Sequence, residues 1–268
     1  MTDSPAFPMI KVPAERSMAK PRRTGLTMMI DWGLPLAQQA DYLDLSGRFI
    51  DLAKIAVGSV RVYGEQQLRR KIALYKDHGV RCFVGGGIVE RLFALEGRGA
   101  LAPFFGEMRR VGIDIVEISD NYVTLDRDER FRQTALAREA GLAVFGEIGS
   151  KHDHSGAEFL LGQARDCFDA GAEMLIVEGY ELVDGGRPKS ELIARLRDGL
   201  DFSRTLFELP GPWISGVNAS QVQDLKKFLI GEFGPDVSIG NIMPEDIFET
   251  EMSRQGMGVV QPTQVAWR

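Results

Sequence analysis

The chain reads as an α/β protein built as a (β/α)8 TIM barrel. Short β-type apolar runs alternate with helix-length segments from Leu26 onward, giving eight strand–helix units. Such alternation demands parallel strands joined by right-handed crossovers. A glycine stops the helix just ahead of the next apolar run at Gly79, Gly112, Gly141 and Gly171, the residue best suited to that position. The length, 268 residues, suits one such domain. An open doubly wound sheet is the competing architecture, but no Gly-x-Gly-x-x-Gly follows the first strand, which disfavours a dinucleotide-binding fold.

Residues 1–23 interleave Pro5, Pro8, Pro13 and Pro21 with five basic residues and carry no periodicity. They are expected to form an extended arm, packed on the barrel or on a neighbouring subunit, with disorder of the segment the alternative. Residues 24–268 are expected to form the barrel. Its first strand is Leu26–Asp31, stopped by Trp32-Gly-Leu-Pro35, and a helix follows over Leu36–Ser46. Phe49–Val57 is the second strand, broken by Gly58-Ser59; the spacing of Leu68, Ile72 and Tyr75 predicts a helix over Gly64–His78. Val80–Val84 is the third strand and ends in Gly85-Gly86-Gly87, with a helix from Ile88. The fourth, Ile113–Asp120, closes on three polar residues. Acids at its start favour a helix over Asp126–Ala140. Strands over Leu142–Glu147, Glu173–Glu178, Thr205–Glu208 and Asp236–Asn241 complete the set, with helices over Gly156–Ala170, Ser190–Leu200, Ser220–Phe233 and from Pro244.

Composition narrows the class. Hydrophobic content of 44% and charged content of 26% are ordinary globular values. A net charge of −6 argues against a nucleic-acid surface. No apolar run approaches the roughly 18 residues of a membrane span, and the N-terminus lacks a secretory pattern. Cys82 and Cys167 sit in apolar or helical runs and read as core residues. A cytoplasmic protein is the expectation.

Four strands end on a glutamate: Glu117 lies near the end of the fourth, and Glu147, Glu178 and Glu208 close the next three. A barrel places its chemistry at the C-terminal strand ends, and carboxylates crowded there need a cation or donors. Period-two counting puts Glu117 on the face of Ile115, and Glu178 on that of Ile176. Oxygen ligands of this kind suit Mg²⁺, or Mn²⁺, better than zinc. Glu147, Glu178, Asp120 and Glu208 are the candidate ligands. Lys54, Lys151 and Glu117 are the candidate catalytic groups, because an ammonium or carboxyl there can hold an anion or move a proton. Asp31, Gly85, Gly86, Ser119 and Asn241, at the strand ends or just past them, are candidates for binding a small anionic substrate. His152-Asp-His154 lacks a nearby third ligand and is read as a solvated loop. Trp32 and Trp213 either line the mouth or pack its loops.

At these residues the chain resembles the phosphosulfolactate synthase family. The similarity runs from Arg23 to Ile247 through an ordered series of short motifs. Asp31-x-Gly33-Leu-Pro35 is followed by Asp51-x-x-Lys54 and Gly85-Gly86-x-x-x-Glu90. Val116-Glu-Ile-Ser-Asp120, Glu147-x-Gly149-x-Lys151 and Glu178-Gly179 come next, then Phe207-Glu-x-Pro210 and Gly240-Asn241-Ile242. The resemblance implies a Mg²⁺-dependent addition of sulfite to phosphoenolpyruvate, with Lys151 as proton donor and Lys54 holding an anionic oxygen. It also makes a homo-oligomer the expectation. Three departures stand out: Trp32 replaces a family lysine, Tyr180 a family arginine, and Gly211–Asn218 a glutamine- and lysine-containing segment. Arg61 or Arg187 are the residues available to compensate. The departures leave two rivals open: the same metal-assisted chemistry on a less anionic substrate, and a non-catalytic member acting in binding or stress protection.

Overall fold

A computed structural model describes residues 6–150 and 154–258. Eight parallel strands close into a barrel: β1 Thr27–Asp31, β2 Leu52–Ile55, β3 Arg81–Val84, β4 Ile115–Ile118, β5 Ala143–Ile148, β6 Met174–Val177, β7 Thr205–Glu208 and β8 Ser238–Ile242. Each pairs with its sequence neighbours, and β1 pairs with β8 to seal the ring. The architecture is that of a (β/α)8 TIM barrel.

Alternation along each strand sorts the apolar residues into two cores. Met28, Leu52, Phe83, Ile115, Phe145, Ile176 and Leu206 point inward and fill the barrel. Their neighbours Met29, Ala53, Cys82, Val116, Val144, Val177 and Phe207 point outward, under the helices. Both cysteines are buried and free, as their sequence settings suggested. Among the described residues no helix is long and apolar enough to cross a membrane.

The outer layer contains α1 Leu36–Ser46, a short α2 Ser59–Val62, α3 Glu65–Asp77, α4 Gly87–Glu96, α5 Leu101–Val111, α6 Arg127–Glu139, α7 Ala157–Ala170, α8 Ser190–Gly199, α9 Ala219–Phe233 and α10 Ile247–Arg254. Asn218 caps α9 by accepting from Gln221 N, and Gln221 returns the bond, a reciprocal capping box. Several segments differ from the sequence expectation: the second strand is Leu52–Ile55 where Phe49–Val57 is expected, and the fourth is Ile115–Ile118 where Ile113–Asp120 is expected. The second strand is trimmed at its start because Gly47–Phe49 forms a 3-10 turn. The polar loop after β6 contains a small hairpin of Val183–Asp184 with Arg187–Pro188, turned by Gly185 and Gly186, both at positive φ.

The described part of the N-terminal arm crosses the N-terminal end of the barrel. Arg16 pairs with Glu251 and Asp236, Arg22 with Asp51. Lys20 Nζ donates to the carbonyls of Gly47, Ile50 and His78.

Candidate active site

Five of the inward positions that follow the inner apolar layer are ionisable. Leu52 is followed two residues on by Lys54, Ile115 by Glu117, Phe145 by Glu147, Ile176 by Glu178 and Leu206 by Glu208. One parity rule thus delivers five buried ionisable groups to the C-terminal mouth. Lys54 Nζ lies 2.8 Å from Glu117 Oε2 and also pairs with Glu208 Oε1. Gly86 N donates to Glu117 Oε1 at 2.7 Å. Asn241, with φ of 58°, leaves the strand alternation, so its Nδ2 donates to Glu208 Oε2 at 3.0 Å. Asn121 Nδ2 donates to Glu147 Oε2 at 2.7 Å, and Tyr180 N to Glu178 Oε1 at 3.1 Å.

Glu147, Glu178 and Glu208 converge: one oxygen of each lies within 4.8 Å of the others. Glycine makes the approach possible. A Cβ on Gly179 would stand 1.9 Å from the Glu208 carbonyl, so any larger residue would push the ends of β6 and β7 apart. With all three ionised, each pair repels by roughly 3.5 kcal/mol at an effective dielectric near 20. Oxygen donors at this spacing fit a hard divalent cation in character, and a small contraction brings them to ligand distance. Lys54 already neutralises one side of the group through Glu208.

Several candidates fall elsewhere, and strand parity explains most of them. Asp31 points outward with Met29. It lies fully buried against Lys71 at 2.7 Å and Tyr75 Oη at 2.6 Å, and it accepts from Gly33 N and Leu34 N. It shapes the β1 loop and does not face the mouth. Asp120 is likewise on the outward parity. Arg130 of α6 holds it at 2.8 Å and Gln163 donates to it at 3.3 Å, so it is no part of the three-glutamate cluster. Burial pushes its carboxyl above the ordinary range although Arg130 opposes the shift. Ser119 donates to Glu90 Oε1, and Glu90 Oε2 accepts from Tyr122 N at 2.6 Å and Val123 N at 3.1 Å. Ser119 and Glu90 therefore brace the loop after β4. Gly86 packs so closely that an added Cβ would sit 2.0 Å from Ser119 Oγ, and one on Gly85 2.8 Å from Lys54 Cε. Arg187 is exposed on the hairpin, opposite Asp184. Lys151 and His152 lie outside the described residues.

The structure adds two residues. Asn121 follows the Ser119-Asp120 strand end and steers Glu147; its place in that loop was the available signal. Glu181 is buried and accepts from Ser150 N at 3.1 Å and Ser155 N at 2.8 Å. A glutamate three residues after Glu178, amid loop residues, gave no sign of burial.

Aromatic rings rim the mouth. Trp32, beyond β1, and Trp213, beyond β7, have ring centroids 5.1 Å apart at an interplanar angle of 52°. Tyr180 stacks on His154 with centroids 4.9 Å apart and planes within 7°.

A parallel barrel with a carboxylate-rich mouth at its C-terminal end defines a class of barrel enzymes, and comparison with known proteins narrows the class. The family described as (2R)-phospho-3-sulfolactate synthase (ComA) matches residues 15–259, and the chain belongs to that family of lyase-type enzymes. The phosphosulfolactate synthase of Methanocaldococcus jannaschii is 28% identical over 244 residues, covering 87% of this chain and 92% of that protein. The phosphosulfolactate synthase of Bacillus subtilis is 26% identical over 249 residues, 89% and 92% of the two chains. Protein HEAT-STRESS-ASSOCIATED 32 of Arabidopsis thaliana is 23% identical over 248 residues, 82% of each. Among solved structures, 3-hexulose-6-phosphate synthase from Salmonella typhimurium superposes with a TM-score of 0.54 at 17% identity, covering 85% of this chain and 99% of that one. That likeness extends to the fold.

Proposed function

We propose that this protein is a Mg²⁺-dependent synthase that adds a nucleophile to an enolpyruvyl-type acceptor, with sulfite and phosphoenolpyruvate as the pair to test first. The observation that carries the reading is the convergence of Glu147, Glu178 and Glu208, in a chain of this family. These three carboxylates would hold the ion, Mn²⁺ serving as well as Mg²⁺. When bound, the ion supplies positive charge where the acceptor carboxylate gathers electrons.

The bond changes are simple. Sulfur forms a bond to C3 of the acceptor, the C2–C3 π pair moves toward the carboxylate, and C2 then takes a proton. The protein's task is to hold the anion and to stabilise the charge that develops. Lys54 stands where it can do so, fixed by its pairs with Glu117 and Glu208. Gly86 N locks Glu117, which fixes the ammonium in turn. Proton delivery to C2 belongs to Lys151 in this reading.

Incubation with sulfite, phosphoenolpyruvate and Mg²⁺ should give phosphosulfolactate, detected by mass spectrometry. Absence of product at high enzyme concentration would reject the pair. Glu117→Gln should lower turnover at least about 100-fold, the usual scale for a group that serves proton transfer or its positioning, with an unchanged circular dichroism spectrum. Activity retained in that variant would remove Glu117 from the machinery. A second reading keeps the metal-assisted step and changes the acceptor; Trp32 and Tyr180 favour it, since both offer aromatic surface at the mouth in place of cationic charge.

A further inference from the structure

We infer that Trp32 and Trp213 form a specificity wall for a planar apolar group carried by the acceptor. The inference rests on the second reading above, in which the metal-assisted step is kept and the acceptor is changed, its carboxylate meeting the cation that the glutamate cluster would hold. Trp32 is 48% exposed and Trp213 39% exposed, although each indole has a large apolar surface that water solvates poorly. They come from loops after β1 and β7, which flank β8 in the ring, and meet beside the mouth.

Both rings are held in place rather than loosely displayed. The Asp31 carboxylate, pinned from below by Lys71 and Tyr75, accepts from Gly33 N at 2.8 Å and Leu34 N at 2.9 Å and so fixes the turn that carries Trp32. Gly33, at φ of 116°, completes that turn in a conformation glycine alone adopts freely. Trp213 lies flat on the backbone of Gly211: a Cβ there would meet three of its ring carbons at 2.1–2.3 Å. Preorganised, exposed aromatics lose little freedom on binding, which makes them efficient contact surfaces.

The spacing decides how a ligand would sit. Rings 5.1 Å apart touch each other, whereas a planar guest between two rings needs roughly 7 Å. The guest therefore packs against the exposed surface of the pair, chiefly on Trp32, because Gly211 covers one face of Trp213; its polar end is then turned to the mouth. Tyr180 extends the aromatic surface on the side of β6, where its ring is already stacked on His154. An indole and a phenol at these positions offer dispersion and ring-quadrupole contacts; a phosphate would need cationic or N–H donors there. The chemical class indicated is a 2-oxo or enolpyruvyl acid bearing a phenyl or comparable conjugated substituent.

The experiment uses Mn²⁺-loaded full-length protein and a matched pair of probes, phenylpyruvate and pyruvate, which differ by the phenyl group. Calorimetric titration should give phenylpyruvate at least about tenfold tighter binding than pyruvate, the scale of one ring's burial. Trp32→Ala and Trp213→Ala should each collapse that ratio while leaving the pyruvate and Mn²⁺ affinities unchanged. A wild-type ratio near one, or a ratio that survives both substitutions, would overturn the inference. So would phosphoenolpyruvate binding tighter than phenylpyruvate and indifferent to Trp32→Ala. Direct Mn²⁺ titration of the wild type separates the two proposals: no metal binding breaks the reading of the carboxylate cluster, while a lost phenyl preference with intact metal binding breaks the wall alone.

Discussion

The two ends of the barrel treat buried charge in opposite ways. At the N-terminal end acids are matched to cations from the arm and to strand-start backbone groups. Arg16 bridges Glu251 and Asp236, while Asp51 takes Arg22 on one oxygen and Thr27 N on the other. Arg254 satisfies the carbonyls of Pro235 and Val237. At the C-terminal end three carboxylates crowd within 4.8 Å. Ion pairs tie the arm to the barrel, whereas the mouth gathers three acids close enough for one hard cation to engage them together.

The largest separation between the two ends should come from removing one crowded acid. Glu147→Gln should weaken Mn²⁺ binding by at least about 100-fold, beyond the usual effect of losing a group that merely supports a ligand. Its circular dichroism spectrum should match the wild type, which separates lost binding from lost fold. A stability loss with undiminished metal affinity would place Glu147 among structural acids. Wild-type protein should gain about 2.7 kcal/mol when Mn²⁺ reaches 100 times its dissociation constant.

The converse substitution belongs at the other end. Arg16→Met leaves Glu251 buried without its partner, a change that costs about 3–5 kcal/mol. Urea denaturation measures it, and Mn²⁺ affinity should not move. If stability is unaffected, the arm's ion pairs are not what ties it down.

Much of this division could be read from the sequence, and strand parity marks where the reading stopped. Eight apolar runs with glycine-terminated helices specify the barrel because each run must be buried on both faces. Counting in twos from Ile115, Phe145, Ile176 and Leu206 also delivers Glu117, Glu147, Glu178 and Glu208 to the interior. The same count applied to Asp31 and Asp120 puts them outside, against Lys71 and Arg130, yet their place at strand ends had made them look like site residues. Asn241 escapes any such count because a positive φ turns it back to Glu208. Glu90 and Glu181 bind loop backbone, a role set by tertiary approach and invisible in local spacing. The Trp32–Trp213 contact likewise depends on ring closure, which makes residues 181 positions apart neighbours.

A finer contrast comes from acidity. Burial raises the Asp236 carboxyl, but bonds from Ser17, Arg16 and Thr24 together hold it below its ordinary 3.8. Asp120, near the mouth, is shifted upward by burial despite Arg130. Linkage gives the two opposite signs. The stabilisation from Asp236 is complete above pH 3.8 and fades as pH falls through the lower folded value. That from Asp120 declines as pH rises from 3.8 toward its raised folded value. Comparing wild type with Asp236→Asn across pH 3–7 should therefore give a stability gap that is full at neutral pH and shrinks in acid. For Asp120→Asn the gap should move against the wild type as pH rises through the same range. Equal slopes in both series would mean that the two ends of the barrel do not differ in how they hold a carboxylate.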